Sequence, residues 1–328
     1  MINLQKAGYH GIALPDYGVG LDGGTADTPY VFVSHAHSDH VPRSKNLHTY
    51  ATPATSRLMK TRGFTGDVTE LDFYQPLETE NARIRLYPAG HILGSAMIFI
   101  ETDEGNLLYT GDFRIPPSPA TEGFDSPDNV DFLIAEATFG LPVYRWAGHD
   151  QLFQQIRDFA SDALIEDKTP VFFCYNLGKA QEVMHALAPL NRRVQIHGAG
   201  YPMCPVYEDF GVELGQFERY NADTVKGSIL ITPSNTRGSA MLRITGGIRT
   251  AYVSGWAAVE SRRAQLNVDK LIPLSDHLDF FELINWCREL QPRHVYITHT
   301  PNPDVVQHYL SKEEISSSSL ELEVGVDD

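Results

Sequence analysis

The chain has 328 residues, of which 42% are hydrophobic and 21% charged, the make-up of a globular protein with one large or two ordinary domains. Its formal net charge of −16 excludes the broad basic footprint of a sequence-independent duplex binder, but not a phosphate held in a local pocket. Three widely spaced cysteines, Cys174, Cys204 and Cys287, form no CxxC and no disulfide framework, which points to a reducing, cytoplasmic setting. The first residues have neither the basic start nor the apolar core of a signal peptide, and no run approaches the roughly 18 apolar residues of a membrane span.

In chain order, short β-branched and aromatic runs bounded by Gly, Pro, Asn and Asp predict strands at Tyr30–Val33, Ile84–Tyr87, Met97–Glu101, Leu107–Thr110 and Phe132–Ala135. Helical patterns are scarce before residue 150. Apolar residues at 152, 153, 156, 159, 160, 163 and 164 then predict a helix over Gln151–Ile165. A buried strand at Pro170–Tyr175 leads to a helix from about Gly178 to Leu187, and strands near Val194–Ile196 and Ser228–Thr232 continue an alternating α/β pattern. Strands return at Thr250–Ser254 and His294–Thr298, with a helix from about Leu278 between them. The tail Ser311–Asp328, with its serine run and acidic end, reads as loosely ordered or as a final edge strand.

The chemistry concentrates where strands end. Val31-Phe32-Val33-Ser34 runs into His35-Ala36-His37-Ser38-Asp39-His40, four metal-type ligands within six residues. Alternate residues of an extended loop point the same way, so His35 and His37 can grip one ion while Asp39 and His40 turn toward another. Gly90-His91, Gly111-Asp112, Glu136 and His299 each follow a predicted strand. Each alone reads as an ordinary turn or a hydrogen-bonded structural residue; residues at the ends of neighbouring strands converge.

These motifs resemble the metallo-β-lactamase fold and, more narrowly, its β-CASP nuclease branch, which includes RNase J, Artemis and the pre-mRNA cleavage endonuclease. Nearly the whole chain is covered. The length, the short middle segment and the Ser275-Asp276-His277-Leu278-Asp279 motif look most like the small bacterial DNA ligase-associated exonucleases. The resemblance implies a four-layer αββα domain over residues 1–147 and 249–328, with an α/β β-CASP cap inserted at 148–248. It implies two Zn2+, with Mn2+ or Fe2+ as alternatives: His35, His37 and His91 on the first, Asp39, His40 and His299 on the second, and Asp112 on both. Asp22 would support the ligand loop. His277 would donate a proton to the leaving oxygen, oriented by Glu136, so that Asp39, Asp112, Glu136 and His277 form the catalytic set. His299 departs from the Artemis-like pattern, which has Val there, whereas Tyr252–Trp256 resembles that branch; Thr300-Pro301-Asn302 after His299 departs from relatives with Gly.

Two loops of the middle segment are candidate phosphate contacts. Lys179 stands where a strand gives way to a helix start. Ser234, Asn235 and Arg237 form a polar loop with a fork-shaped donor. The bland readings are an ordinary capped helix and a solvated loop. His197 reads as structural or substrate-lining, and His10, His48, His149, His185, His294 and His308 are assigned no role. The expected activity is cleavage of nucleic-acid ends, DNA before RNA, in functional association with an ATP-dependent DNA ligase and a helicase, without a membrane. The alternatives are an RNA-processing ribonuclease, a lactamase-fold hydrolase of thioesters or lactones, and an inactive scaffold subunit.

Overall fold

Three sheets organise the chain in a computed structural model that describes residues 2–8, 10–44 and 46–320. The first holds six short strands in chain order: Gln5–Ala7, Gly11–Leu14, Val19–Leu21, Tyr30–Phe32, Thr49–Ala51 and Val68–Glu70. The second runs Ser316–Ser319, His294–Thr298, Phe132–Glu136, Gly105–Tyr109, Ala96–Thr102, Arg83–Pro88, Leu77–Glu78.

Period-two alternation gives the second sheet two apolar faces. Ile84, Leu86, Ile98, Ile100, Leu107 and Ile134 share a core with Ile12, Leu14, Val19, Leu21 and Phe32 of the first sheet. Met97, Phe99, Leu108, Leu133, Val295 and Ile297 face the other way, onto Phe280, Leu283, Ile284, Trp286 and Cys287 of the helix Phe280–Leu290 and onto Val306 and Leu310 of the helix Pro303–Lys312. The first of these helices starts sharply. Asp279 accepts from the Glu282 amide and Glu282 accepts from the Asp279 amide, which satisfies two end donors reciprocally.

The strands Gly105–Tyr109, Phe132–Glu136 and His294–Thr298 are parallel neighbours, and Arg83–Pro88 runs in the same sense two strands along. Their carboxyl ends therefore lie along one edge. Two ligand-type residues there follow glycines at positive φ: Gly90 at +74° before His91, and Gly111 at +53° before Asp112. A Cβ on Gly111 would meet Ser34 Oγ at 2.7 Å, and one on Gly90 would collide with the Arg114 carbonyl. Both turns need glycine, for conformation and for space.

The chain divides into two units, residues 2–117, 121–144 and 277–320 forming one and residues 118–120 and 145–276 the other. The second unit has its own all-parallel sheet, Phe217–Arg219, Val194–Ile196, Ile229–Thr232, Thr169–Phe173, Ile248–Val253, Lys270–Ile272, with the helix His149–Ile165 packed on it. The expected boundary at residue 248 thus falls where a strand begins. Ile248–Val253 pairs with Thr169–Phe173 over its length, which draws 249–276 into this unit. Ser316–Ser319 is an edge strand, paired parallel with His294–Thr298; the acidic end, 321–328, lies outside the described residues.

Candidate metal centre

Asp22 is the buried post around which the ligand loop is built. Its backbone has φ +53°, a conformation that Asp tolerates. Its carboxylate accepts from the Ser34 amide at 2.6 Å, Ser34 Oγ at 2.6 Å and Tyr109 OH at 2.8 Å, and holds His40 Nδ1 at 2.7 Å. Holding Nδ1 leaves His40 Nε2 facing Asp112 Oδ2 at 3.5 Å and Asp39 Oδ2 at 3.7 Å. Removing the post should be costly. Asp22→Ala leaves several buried donors without an acceptor, at about 1–3 kcal/mol each, and puts alanine at a positive φ. Chemical denaturation should show a loss of several kcal/mol for Asp22→Ala and a smaller one for Asp22→Asn, which keeps an acceptor and the turn; equal midpoints would remove Asp22 from this role.

His35, His37, His91 and Asp112 each offer a ligand-type atom within 4.8 Å of one another, and all four are buried. The rings of His35, His37 and His91 lie 4.7, 4.7 and 4.9 Å apart between centroids. Imidazoles sharing one zinc at N–Zn distances of about 2.0–2.1 Å have centroids roughly 5 Å apart. Asp112 Oδ2 lies 3.5 Å from His35 Nε2, 3.5 Å from His40 Nε2 and 3.7 Å from His91 Nε2. Beside this set, the His40 and His299 rings are 5.4 Å apart.

The electrostatics of the cluster call for a cation. Burial, with His40, His91 and His37 adding to it, pushes the His35 pKa well down, so its imidazole is neutral. Burial likewise takes His299 down to about 4. His35 Nε2 and His299 Nε2 are covered, with no hydrogen-bond partner among the described residues. Burial pushes Asp112 up to about 7 against the pull of His40 and His277. Burial pushes His40 down, but Asp112 and Asp22 outweigh it and hold its pKa well above the usual range, so His40 carries a positive charge among these carboxylates. The neutral nitrogens of His35 and His299, His40 and the Asp112 carboxylate form a donor set that fits a transition-metal ion, which would take the place of the His40 proton.

Glu136 and His277 form a separate buried pair, with His277 Nδ1 2.8 Å from Glu136 Oε1. Burial raises the Glu136 pKa, but the His277 charge and hydrogen bond outweigh it and, with Thr138, hold the carboxyl below its usual range. Ionised Glu136 can only accept, so His277 Nδ1 carries the proton toward it. The His277 and His91 rings are 4.7 Å apart.

The expected phosphate contacts fare differently. Lys179, a candidate phosphate contact, is 3% exposed, and its ammonium is bound by Glu182 at 3.0 Å and Asp276 at 3.5 Å. Glu182 in turn takes a hydrogen bond from Ser118 and lies 3.0 Å from His149 Nε2. Arg237 is exposed, but its Nε and one terminal nitrogen donate to the carbonyls of Ser234 and Leu266 and tie the loop down; Asn235 is exposed and Ser234 half-buried. His10, given no role above, is 2% exposed and stands beside His40 and His299. A lone histidine in a hairpin turn carries no periodic or spacing signal, and only its neighbours reveal it.

Fold and site together define a mixed α/β protein with a buried histidine–carboxylate cluster able to hold metal. No family model matches the chain. It is 34% identical over 298 residues to a protein of Opitutus terrae named "Probable DNA ligase", covering 88% of this chain and 28% of that protein. It is 32% identical over 176 residues to the "RNase J-like protein" of Methanocaldococcus jannaschii (47% and 42% covered), and 25% over 280 residues to the "5' exonuclease Apollo" of Gallus gallus (80% and 56% covered). The chain thus spans between 28% and 56% of the length of these relatives. The chain belongs to the metallo-β-lactamase/β-CASP nuclease family.

Proposed function

We propose that this chain is a binuclear metal-dependent nuclease that hydrolyses phosphodiester bonds at nucleic-acid ends, DNA before RNA. The observation that carries the reading is the buried convergence of His35, His37, His91 and Asp112, with His40, Asp39 and His299 alongside, in a chain of this family. We assign the first unit to a four-layer αββα domain and the second to the β-CASP cap inserted in its sequence. His35, His37 and His91 would hold one cation, Asp39, His40 and His299 a second, and Asp112 both; zinc suits the donors, with Mn2+ or Fe2+ as alternatives. When bound, the pair supplies Lewis acidity at a phosphoryl group and offsets the charge that develops there.

The remaining work falls to the chain itself. Asp22 fixes the ring plane of His40 through Nδ1. Glu136 fixes His277 through Nδ1, which leaves Nε2 as the atom that hands a proton to the leaving oxygen. A net charge of −16 fits a locally gripped strand end better than a long bound duplex. Likeness to a probable DNA ligase supports work on DNA ends, with an ATP-dependent ligase and a helicase as the proposed functional partners, and three free cysteines suit the cytoplasm. Among the described residues no helix is long and apolar enough to cross a membrane.

The test is to incubate metal-loaded protein with end-labelled single- and double-stranded DNA and RNA. Shortening of DNA from its ends is expected. Cleavage of RNA alone would favour the reading that likeness to the RNase J-like protein supports. Cleavage of lactones or thioesters with nucleic acid untouched would end the nuclease reading.

A further inference from the structure

Three imidazole rings, not two, stand where the second cation is proposed: those of His10, His40 and His299. His10 lies in the turn between the first two strands, Gln5–Ala7 and Gly11–Leu14, and is 2% exposed. Its ring is 5.7 Å from that of His299 and 6.4 Å from that of His40, and the latter pair is close to parallel at 11°. With the His40–His299 spacing of 5.4 Å, the three rings form a triangle somewhat wider than that of His35, His37 and His91. Asp39 stands at the same place, 3.7 Å from His40 Nε2.

The local backbone explains why a histidine can reach this place. The hairpin closes against Gly23: a Cβ on Gly11 would lie 2.5 Å from Gly23 Cα. The turn that carries His10 is thereby pressed against the segment that carries Asp22, whose carboxylate holds His40.

We propose that His10 is a further metal ligand at the second position, closing a site of His10, His40, His299, Asp39 and Asp112. The inference rests on the two-metal reading above. The test uses the full chain and zinc or cobalt(II) alone. His10→Ala and His10→Phe are compared with the parent by titration, by elemental analysis and by the visible spectrum of the cobalt-loaded protein. His10→Phe keeps an aromatic ring in the buried turn and removes only the nitrogens. In both variants the first ion should bind as in the parent, the second should bind about 10–100-fold more weakly, and the cobalt bands of the second ion should change. Restored affinity in His10→Phe, or two ions held in both variants with parental affinity and spectrum, overturns the role of His10 and leaves the two-metal reading standing. A parent that holds a single ion at saturation overturns both.

Discussion

Asp112→Ala should abolish activity and empty both metal positions together. One Asp112 oxygen lies within 3.5–3.7 Å of ring nitrogens from His35, His40 and His91, residues proposed to divide between the two positions. Elemental analysis should find both ions lost, whereas a substitution at His299 should spare the first. A stability measurement separates this from misfolding, and its sign follows from the raised pKa. Buried Asp112 keeps its proton up to about 7, while in the unfolded chain it loses it near the ordinary 3.8. Without metal the carboxyl therefore takes stability away as pH rises through that window. Metal-free Asp112→Ala should be at least as heat-stable at pH 8 as the metal-free parent. Adding zinc should raise the melting temperature of the parent and leave that of the variant where it was. A variant that retains one tightly bound ion would show that Asp112 serves one position alone.

Much of the site was legible because its residues sit at strand ends. His91, Asp112, Glu136 and His299 follow apolar runs that form strands of one sheet, and parallel pairing brings their carboxyl ends together. What escaped was set by contacts far apart in sequence or by elements too short to pattern. Five strands of the first sheet are three residues long, less than one clear alternation, so the sheet that leads into the ligand loop gave little periodic signal. Lys179 is neutralised partly by Glu182, one helical turn on, and partly by Asp276, which no local pattern joins to it. The sheet that the segment after residue 247 joins was hidden for a related reason. The returning strand predicted at Thr250–Ser254 forms as Ile248–Val253, and only its parallel pairing with Thr169–Phe173 tells which sheet it joins. His10 reaches His40 through a hairpin closed by glycines, where the informative quantity is the absence of Cβ atoms.

His277→Ala should keep both metals and still lose about 10²–10⁴-fold in turnover, the usual range for a lost general acid. Two late histidines compete for this part, and geometry separates them. His299 follows the strand His294–Thr298 directly, has a covered Nε2 with no hydrogen-bond partner among the described residues, and is held neutral by burial, so it suits a metal. His277 gives Nδ1–H to an ionised Glu136, which orients the ring as a general acid needs. Its closeness to Asp112 and Glu136, within 4.8 Å for ligand-type atoms, keeps the opposite assignment physically reasonable. The substrate decides between them. On a nitrophenyl phosphodiester, whose leaving group departs without a proton, the loss in His277→Ala should shrink toward parity if the ring is an acid, and persist if it holds metal. Glu136→Gln should give a milder form of the same pattern, because the amide still meets Nδ1 but no longer supports its charge. If His277→Ala instead releases an ion while His299→Ala retains both, the two roles are exchanged.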